Sequence, residues 1–146
     1  MGGVKRNEIL RILDANFNRS REGLRVCEEI TRFVMEDDVL TKEFKKIRHA
    51  VTDTLKKFSV STFELVAARN IRRDVGKRPS RLEKPRVNTV EVFLANSERV
   101  KESLRVLEEA SKLLDKKTPD QLKKIRFRIY ALEKKVLKKL ETLRYH

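Results

Sequence analysis

Residues 15–29 read ANFNRSREGLRVCEE, and residues 95–109 read ANSERVKESLRVLEE. Nine of the fifteen positions agree, and most of those nine are polar. A packed core asks only for repeated apolar residues, so a repeated Asn, Arg and Glu pattern asks for a further reason. Outward from the first copy, apolar or small residues recur at 9, 12, 13, 20, 23, 24, 27, 30 and 33, which is the period of an amphipathic helix over Asn7–Phe33. EDD at 36–38 marks a turn. A second helix then carries Leu40, Phe44, Ile47, Val51, Leu55 and Phe58 on one stripe. Ser61 with Glu64 three residues on forms a capping box for a short helix ending near Arg69.

Residues 70–87 contain Gly76, Pro79 and Pro85, show no period and read as a loop that is long for a compact domain. A third helix starts at Asn88 and runs to about Leu114. A fourth takes Thr118 as N-cap, Pro119 at N1 and Gln121 at N3, and continues through Leu122, Ile125, Ile129, Leu132, Val136 and Leu140. FKKIRHAV at 44–51 is echoed by LKKIRFRI at 122–129, so the repeat covers whole hairpins. The fold expected is all-α: two repeated long helical hairpins in a four-helix bundle, with a short extra helix and a basic loop between the halves. One helical domain over 1–146 is expected, with halves 7–69 and 88–144 and a linker at 70–87.

Composition narrows the partners. The formal net charge is +14, from 36 Lys and Arg against 22 Asp and Glu. Residues 69–86 hold eight basic and two acidic residues, and residues 115–146 hold eleven against four. The second run alternates with apolar residues as a solvated helix face does, whereas the first lacks that period and points to an anionic partner. The single Cys27 excludes an internal disulfide framework and a multi-thiolate zinc site, and its place on the apolar stripe reads as a buried, inert thiol. There is neither a signal-like apolar stretch at the start nor a segment of roughly 20 apolar residues, so a cytoplasmic protein with no membrane partner is expected.

Asn16 and Asn96 fall on the inward stripes, where an amide either bonds a carbonyl to fix register or reads the edge of a polar ligand. Arg19, Glu22, Arg25 and Glu29 recur as Arg99, Glu102, Arg105 and Glu109. Such ladders are solvated faces or, beside an inward Asn, the lining of an anion site, because arginine grips phosphate bidentately. His49, Arg69, Arg72, Arg73 and Asp74 are the other polar candidates, and Asp74 with Asp14 or Glu22 could hold a metal. A functional reading requires both polar stripes to face a common cleft between the hairpins. No Walker A loop, dinucleotide glycine fingerprint or serine elbow is present.

RILDANFNRSREGLRVCEEITRF at 11–33, IRHAV at 47–51 and AARNIRRDVG at 67–76 resemble an all-helical family, the alternative hydroxymethylpyrimidine phosphate kinase of thiamin biosynthesis, also found fused ahead of thiamine-phosphate synthase. That family also carries a second AN..R..E.LRVLEE motif, here at 95–109. The matching positions are Asp14, Asn16, Arg19, Arg21, Glu22, Gly23, Arg25, Glu29, Arg48, His49, Arg69, Asp74 and Gly76, with Asn96, Arg99, Glu102, Arg105 and Glu109 in the second copy. Fused relatives tend to have an RDTPGD type of loop where this chain has RNIRRD, so a hydroxyl and an acid are missing at 70–73.

The resemblance implies transfer of the ATP γ-phosphate to 4-amino-5-hydroxymethyl-2-methylpyrimidine phosphate. Arg19, Arg25, Arg69 and Asp74 would be catalytic, and Asn16, Glu22, His49, Asn96, Arg99 and Arg105 would bind substrate. Asp14, Glu22 and Asp74 would hold magnesium. Implied partners are the phosphorylated pyrimidine, the nucleotide, a second copy in a homodimer and thiamine-phosphate synthase. The competing classes are a basic nucleic-acid-binding module, disfavoured for want of an aromatic platform or recognition helix, and a non-catalytic assembly or regulatory protein of the same pathway.

Overall fold

A computed structural model describes residues 5–58, 60–77 and 85–144. These residues form helices and connections, with no strand among them. Helix α1 spans Arg6–Glu29 and continues into a five-residue π-helical turn, Ile30–Val34. Helix α2 covers Asp38–Lys57, the short α3 covers Thr62–Ala67, and a 3-10 turn follows at Ile71–Arg73. Helix α4 spans Thr89–Ser111 and α5 spans Thr118–Arg144. The expected loop at 70–87 thus contains one short turn, and Pro79 lies outside the described residues.

The periodic stripes become the core. Leu40, Phe44, Ile47, Val51, Leu55 and Phe58 are all buried, as are the six apolar residues expected on α5. Phe44 meets Phe93 edge to face at 6.1 Å. On α1 two expected core residues are exposed, Ile12 at 42% and Phe33 at 61%, while Leu10 and Phe17 are buried instead. Phe33 sits in the π-turn, where the extra residue per turn rotates the side-chain phase away from the core. Ile12 lies at the mouth of a cleft described below.

Helix ends follow local chemistry. Asp37 caps α2 by accepting from the Leu40 amide at 2.9 Å. Ser61 caps α3 by accepting from Glu64 at 3.2 Å, and Asn88 caps α4 by accepting from Glu91 at 2.9 Å. Thr118 differs from expectation: α5 already includes it, and its hydroxyl donates to Asp115 at 2.6 Å. Asp115 also accepts from the Lys117 amide at 2.8 Å, so this aspartate organises the turn in place of a threonine cap. The π-turn accounts for the change of repeat spacing: eight residues separate Glu29 from Asp37, but six separate Glu109 from Asp115. The longer connection takes up its surplus in the π-turn and in Glu36, whose φ is 51°.

Helix α1 packs against α2 and α4, α5 packs against α4 and α2, and α3 packs against α1. Along the α1–α4 contact Glu22 meets Arg99, Gly23 faces Asn96 and Val100, and the Cys27 thiol reaches the Phe93 carbonyl. Numbers rise on one helix as they fall on the other, so the pair is antiparallel. A Cβ on Gly23 would stand 2.7 Å from Val100 Cγ2 and 3.0 Å from the Asn96 carbonyl oxygen, so the axes approach too closely for any larger residue. At the counterpart position Ser103 is buried and donates to the Val100 carbonyl at 2.9 Å.

Each hairpin is tied by the same buried ion pair. Glu28 on α1 accepts from Arg48 Nε on α2 at 3.1 Å and from its Nη2 at 3.4 Å. Glu108 on α4 accepts from both Nε and Nη2 of Arg126 on α5, the latter at 3.1 Å. Both glutamates are under 5% exposed, so an unpaired charge at either place is costly and the bidentate arginine is required. The first Glu of the repeated EE and the Arg of the repeated KKIR are therefore two ends of one interaction.

Candidate functional site

The first polar motif opens into a cleft of about 490 Å³ walled by α1 and by residues 69–74. Arg11, Asp14, Asn16, Arg19, Arg69 and Asp74 line it. Asp14 is 8% exposed and accepts from Arg69, with Nη2 to Oδ1 at 2.9 Å. The carboxylate raises the guanidinium's pKa further above its ordinary value, chiefly by hydrogen bonding. This bridge fixes the segment after α3 against α1. Arg11 adds a bond to the Asn70 carbonyl at 3.4 Å, and Arg6 pairs with Glu64.

Asn16 is buried, and its amide donates to the Ile12 carbonyl at 2.8 Å while its oxygen accepts from Arg19 at 3.4 Å. One of its two amide N–H groups is thus spent on the backbone, and its oxygen orients an arginine. Among the described residues neither Arg11 nor Arg19 has a carboxylate within ion-pair distance. Asp74 accepts from the Gly76 amide at 2.9 Å, which turns the chain and leaves its second oxygen at the exposed rim. Asn70 caps the 3-10 turn by accepting from Arg73 at 3.2 Å, so the asparagine in RNIRRD has a local structural task.

The second motif opens into a separate cleft of about 470 Å³, lined by Glu22 and Val26 of α1, Asn96, Arg99 and Glu102 of α4, and Arg86. Asn96 donates to the Val92 carbonyl at 2.8 Å, repeating the Asn16 bond. Arg99 lies 3.7 Å from Glu22. The single common cleft expected from the two motifs is not formed among the described residues: each motif opens into its own cleft. A functional reading has to rest on one of them or on the pair as neighbours. The antiparallel crossing carries each motif toward a different end of the helix pair.

Three expected site residues line neither cleft. Arg25 pairs with Glu28 at 3.2 Å. Arg105 pairs with Glu109 at 3.1 Å and lies 3.7 Å from Glu108. Both thereby reinforce the ties within the hairpins. His49 is exposed on α2. The metal trio is not assembled either: Glu22 is in the other cleft from Asp14 and Asp74, and no group of three potential His, Cys, Asp or Glu ligands occurs among the described residues. Sequence reading missed Arg11, and also Glu28, Glu108 and Arg126. Joint repetition of EE and KKIR carried the signal for those three. Cys27 is buried as expected, and burial pushes its thiol up to about 12.

The arrangement defines an all-helical protein with two adjacent polar clefts, the first presenting arginines without carboxylate partners, as a site for phosphorylated anions does. The chain belongs to the ThiD2 family, which matches it over residues 11–135. It is 44% identical over 84% of its length to a thiamine-phosphate synthase of Thermosynechococcus vestitus, covering 34% of that protein. It is 42% identical to the thiamine-phosphate synthase of Synechocystis, over 88% of this chain and 36% of the relative. A thiamine-phosphate synthase of Rhodopirellula baltica is 35% identical over 90% of this chain and 35% of its own length. The chain spans about a third of the length of these curated relatives. No solved structure matches it. No helix among the described residues is long and apolar enough to cross a membrane.

Proposed function

We propose that this protein acts in thiamin biosynthesis, transferring the γ-phosphate of ATP to 4-amino-5-hydroxymethyl-2-methylpyrimidine phosphate and so preparing a substrate for a thiamine-phosphate synthase. The observation that carries the reading is the first cleft, where Arg11 and Arg19 face a cavity without carboxylate partners in a chain of the ThiD2 family. The two hairpins form, in this reading, a single four-helix bundle whose repeated motifs are the two halves of its binding surface.

The acceptor is already an anionic phosphate, so the reaction needs charge neutralisation and alignment rather than a strong base. Arg19, held by Asn16, and Arg11 bind phosphate oxygens. The Asp14–Arg69 bridge keeps the cleft wall in place, and that guanidinium retains Nη1 for a ligand. Magnesium fits as an ion brought by the nucleotide, because such sites commonly use one or two protein carboxylates. Asp74 suits this role, whereas Asp14 is already bridged by Arg69. Bound there, magnesium supplies neutralisation of the phosphate charge.

The test is ADP release that depends on the pyrimidine phosphate, measured with purified protein. Arg19→Ala should lower kcat about 100-fold while leaving helical content unchanged. A wild-type chain that transfers no phosphate, or an Arg19→Ala variant with full turnover, overturns the reading.

A further inference from the structure

The two clefts adjoin. Arg19 lines the first and Glu22 the second, and residues three apart on a helix are surface neighbours about 5–6 Å apart at Cβ. Glu8, Ile12, Ala15, Arg19, Glu22 and Val26 form one continuous stripe of α1 across both cavities. From Glu8 to Val26 this stripe is about 27 Å long at the helical rise. Each cavity, at about 490 and 470 Å³, is of a size that holds a small ligand.

Their linings differ in chemistry. The first sets Arg11, Arg19 and Arg69 beside Glu8, Asp14 and Asp74, with Arg11 and Arg19 outside ion-pair distance of any carboxylate among the described residues. The second sets Glu22, Glu98 and Glu102 beside Arg86 and Arg99 and adds the amide oxygen of Asn96, one of whose two amide N–H groups donates to the Val92 carbonyl. Val26 and Ala95 add small apolar surface beside them. Carboxylate and amide oxygens set against apolar carbon match a flat ring that carries N–H donors on its edge.

We propose that the second cleft seats an amino-bearing heteroaromatic base. The two clefts then act as one trough in which two phosphorylated ligands lie end to end with their phosphates at the Arg19–Glu22 junction. The amino group of the base donates to Asn96 Oδ1 and to a glutamate, while Arg99 exchanges its exposed contact with Glu22 for the ligand's phosphate. This rests on the phosphotransfer reading for the identity of the ligands, and it assigns the second cleft to the aminopyrimidine phosphate and the first to the nucleotide's phosphates. At the junction an oxygen of the pyrimidine's phosphate forms a bond to the γ-phosphorus. The bond from that phosphorus to the β,γ-bridging oxygen breaks, and its electron pair leaves with ADP.

Two measurements test the assignment. The amide signals of Ala95 and Asn96 in isotopically labelled protein are followed by NMR during titration with the unphosphorylated 4-amino-5-hydroxymethyl-2-methylpyrimidine and, separately, with adenosine. Saturable shifts with the pyrimidine, and none with adenosine, are expected. In steady-state kinetics Asn96→Ala should raise KM for the pyrimidine phosphate about tenfold and leave KM for ATP unchanged. Shifts with adenosine alone, or a rise confined to the KM for ATP, overturn the assignment of the pyrimidine. Silence with both bases in a protein that still turns over sinks the second site while leaving the kinase reading intact. A chain without turnover whose Ala95 and Asn96 signals still shift with the pyrimidine does the reverse.

Discussion

The two copies of the motif do the same work inside their hairpins and different work outside them. Glu28 with Arg48 and Glu108 with Arg126 are equivalent in residue type, burial and bonding. Asn16 and Asn96 each turn back to the carbonyl four residues earlier. Beyond these contacts the likeness ends. Arg19 leans on Asn16 in a cleft walled by residues 69–74, whereas Arg99 faces Glu22 from the other copy. A repeated sequence reproduces the contacts whose two partners both lie within the repeat. The linker and the α1–α4 crossing supply unlike neighbours, and so one motif yields two sites with different linings.

The ion pairs give the sharpest way to break this comparison. Glu28→Ala and Glu108→Ala each leave a poorly exposed arginine without its partner, and each should cost about 3 kcal/mol in urea denaturation. Equal losses uphold equivalence of the hairpins; a large loss in one and none in the other ends it. The helix crossing comes next. Gly23→Val should cost about 2 kcal/mol by overpacking against Val100 and the Asn96 backbone, and Ser103→Val should cost less because a Cβ is already accommodated there.

Hairpin turns sharpen the comparison on a smaller scale. Asp37→Ala removes a side-chain cap and should cost about 1 kcal/mol, with a lesser loss for Asp115→Ala. Both carboxyls have depressed pKa values, Asp37 through the Leu40 amide first and Asp115 through the Thr118 hydroxyl first. Their contribution is therefore present above the ordinary value of 3.8 and lost as pH falls through the lower folded one, which acid titration of stability will read.

Cys27 marks the smallest difference, since Leu107 occupies its counterpart. With the thiol raised from 9.0 to about 12, both states are neutral below pH 9, and above it the unfolded chain ionises first. Stability should fall as pH climbs through that window, with a shallower fall in Cys27→Leu. A thiol reagent at pH 8 should label native protein far more slowly than protein in urea.

Much of the fold was legible because helical period and burial coincide on α2 and α5, where all twelve expected stripe residues reach the core. Legibility failed at Phe33, since a π-turn shifts the phase without any residue type that announces it. Of the candidate site, Asp14, Asn16, Arg19, Arg69 and Asp74 do come together in one cleft. Arg25 and Arg105 carried the same motif-based expectation but pair with glutamates one turn away. An arginine's type says what it can grip; which anion lies within reach depends on the helix packed beside it.

The sequence alone determined an all-helical chain, the caps at Ser61 and Asn88, the repeated polar motif and a resemblance later matched by ThiD2 membership. These depend on neighbours a few residues apart, or on residue identity itself. Only the tertiary structure decided that α1 and α4 run antiparallel at Gly23, that Arg69 closes on Asp14 from 55 residues away, and that the motifs open into two adjoining clefts. Those outcomes depend on how far apart helices can stand and on which charges they carry to each other, quantities that no single helix contains.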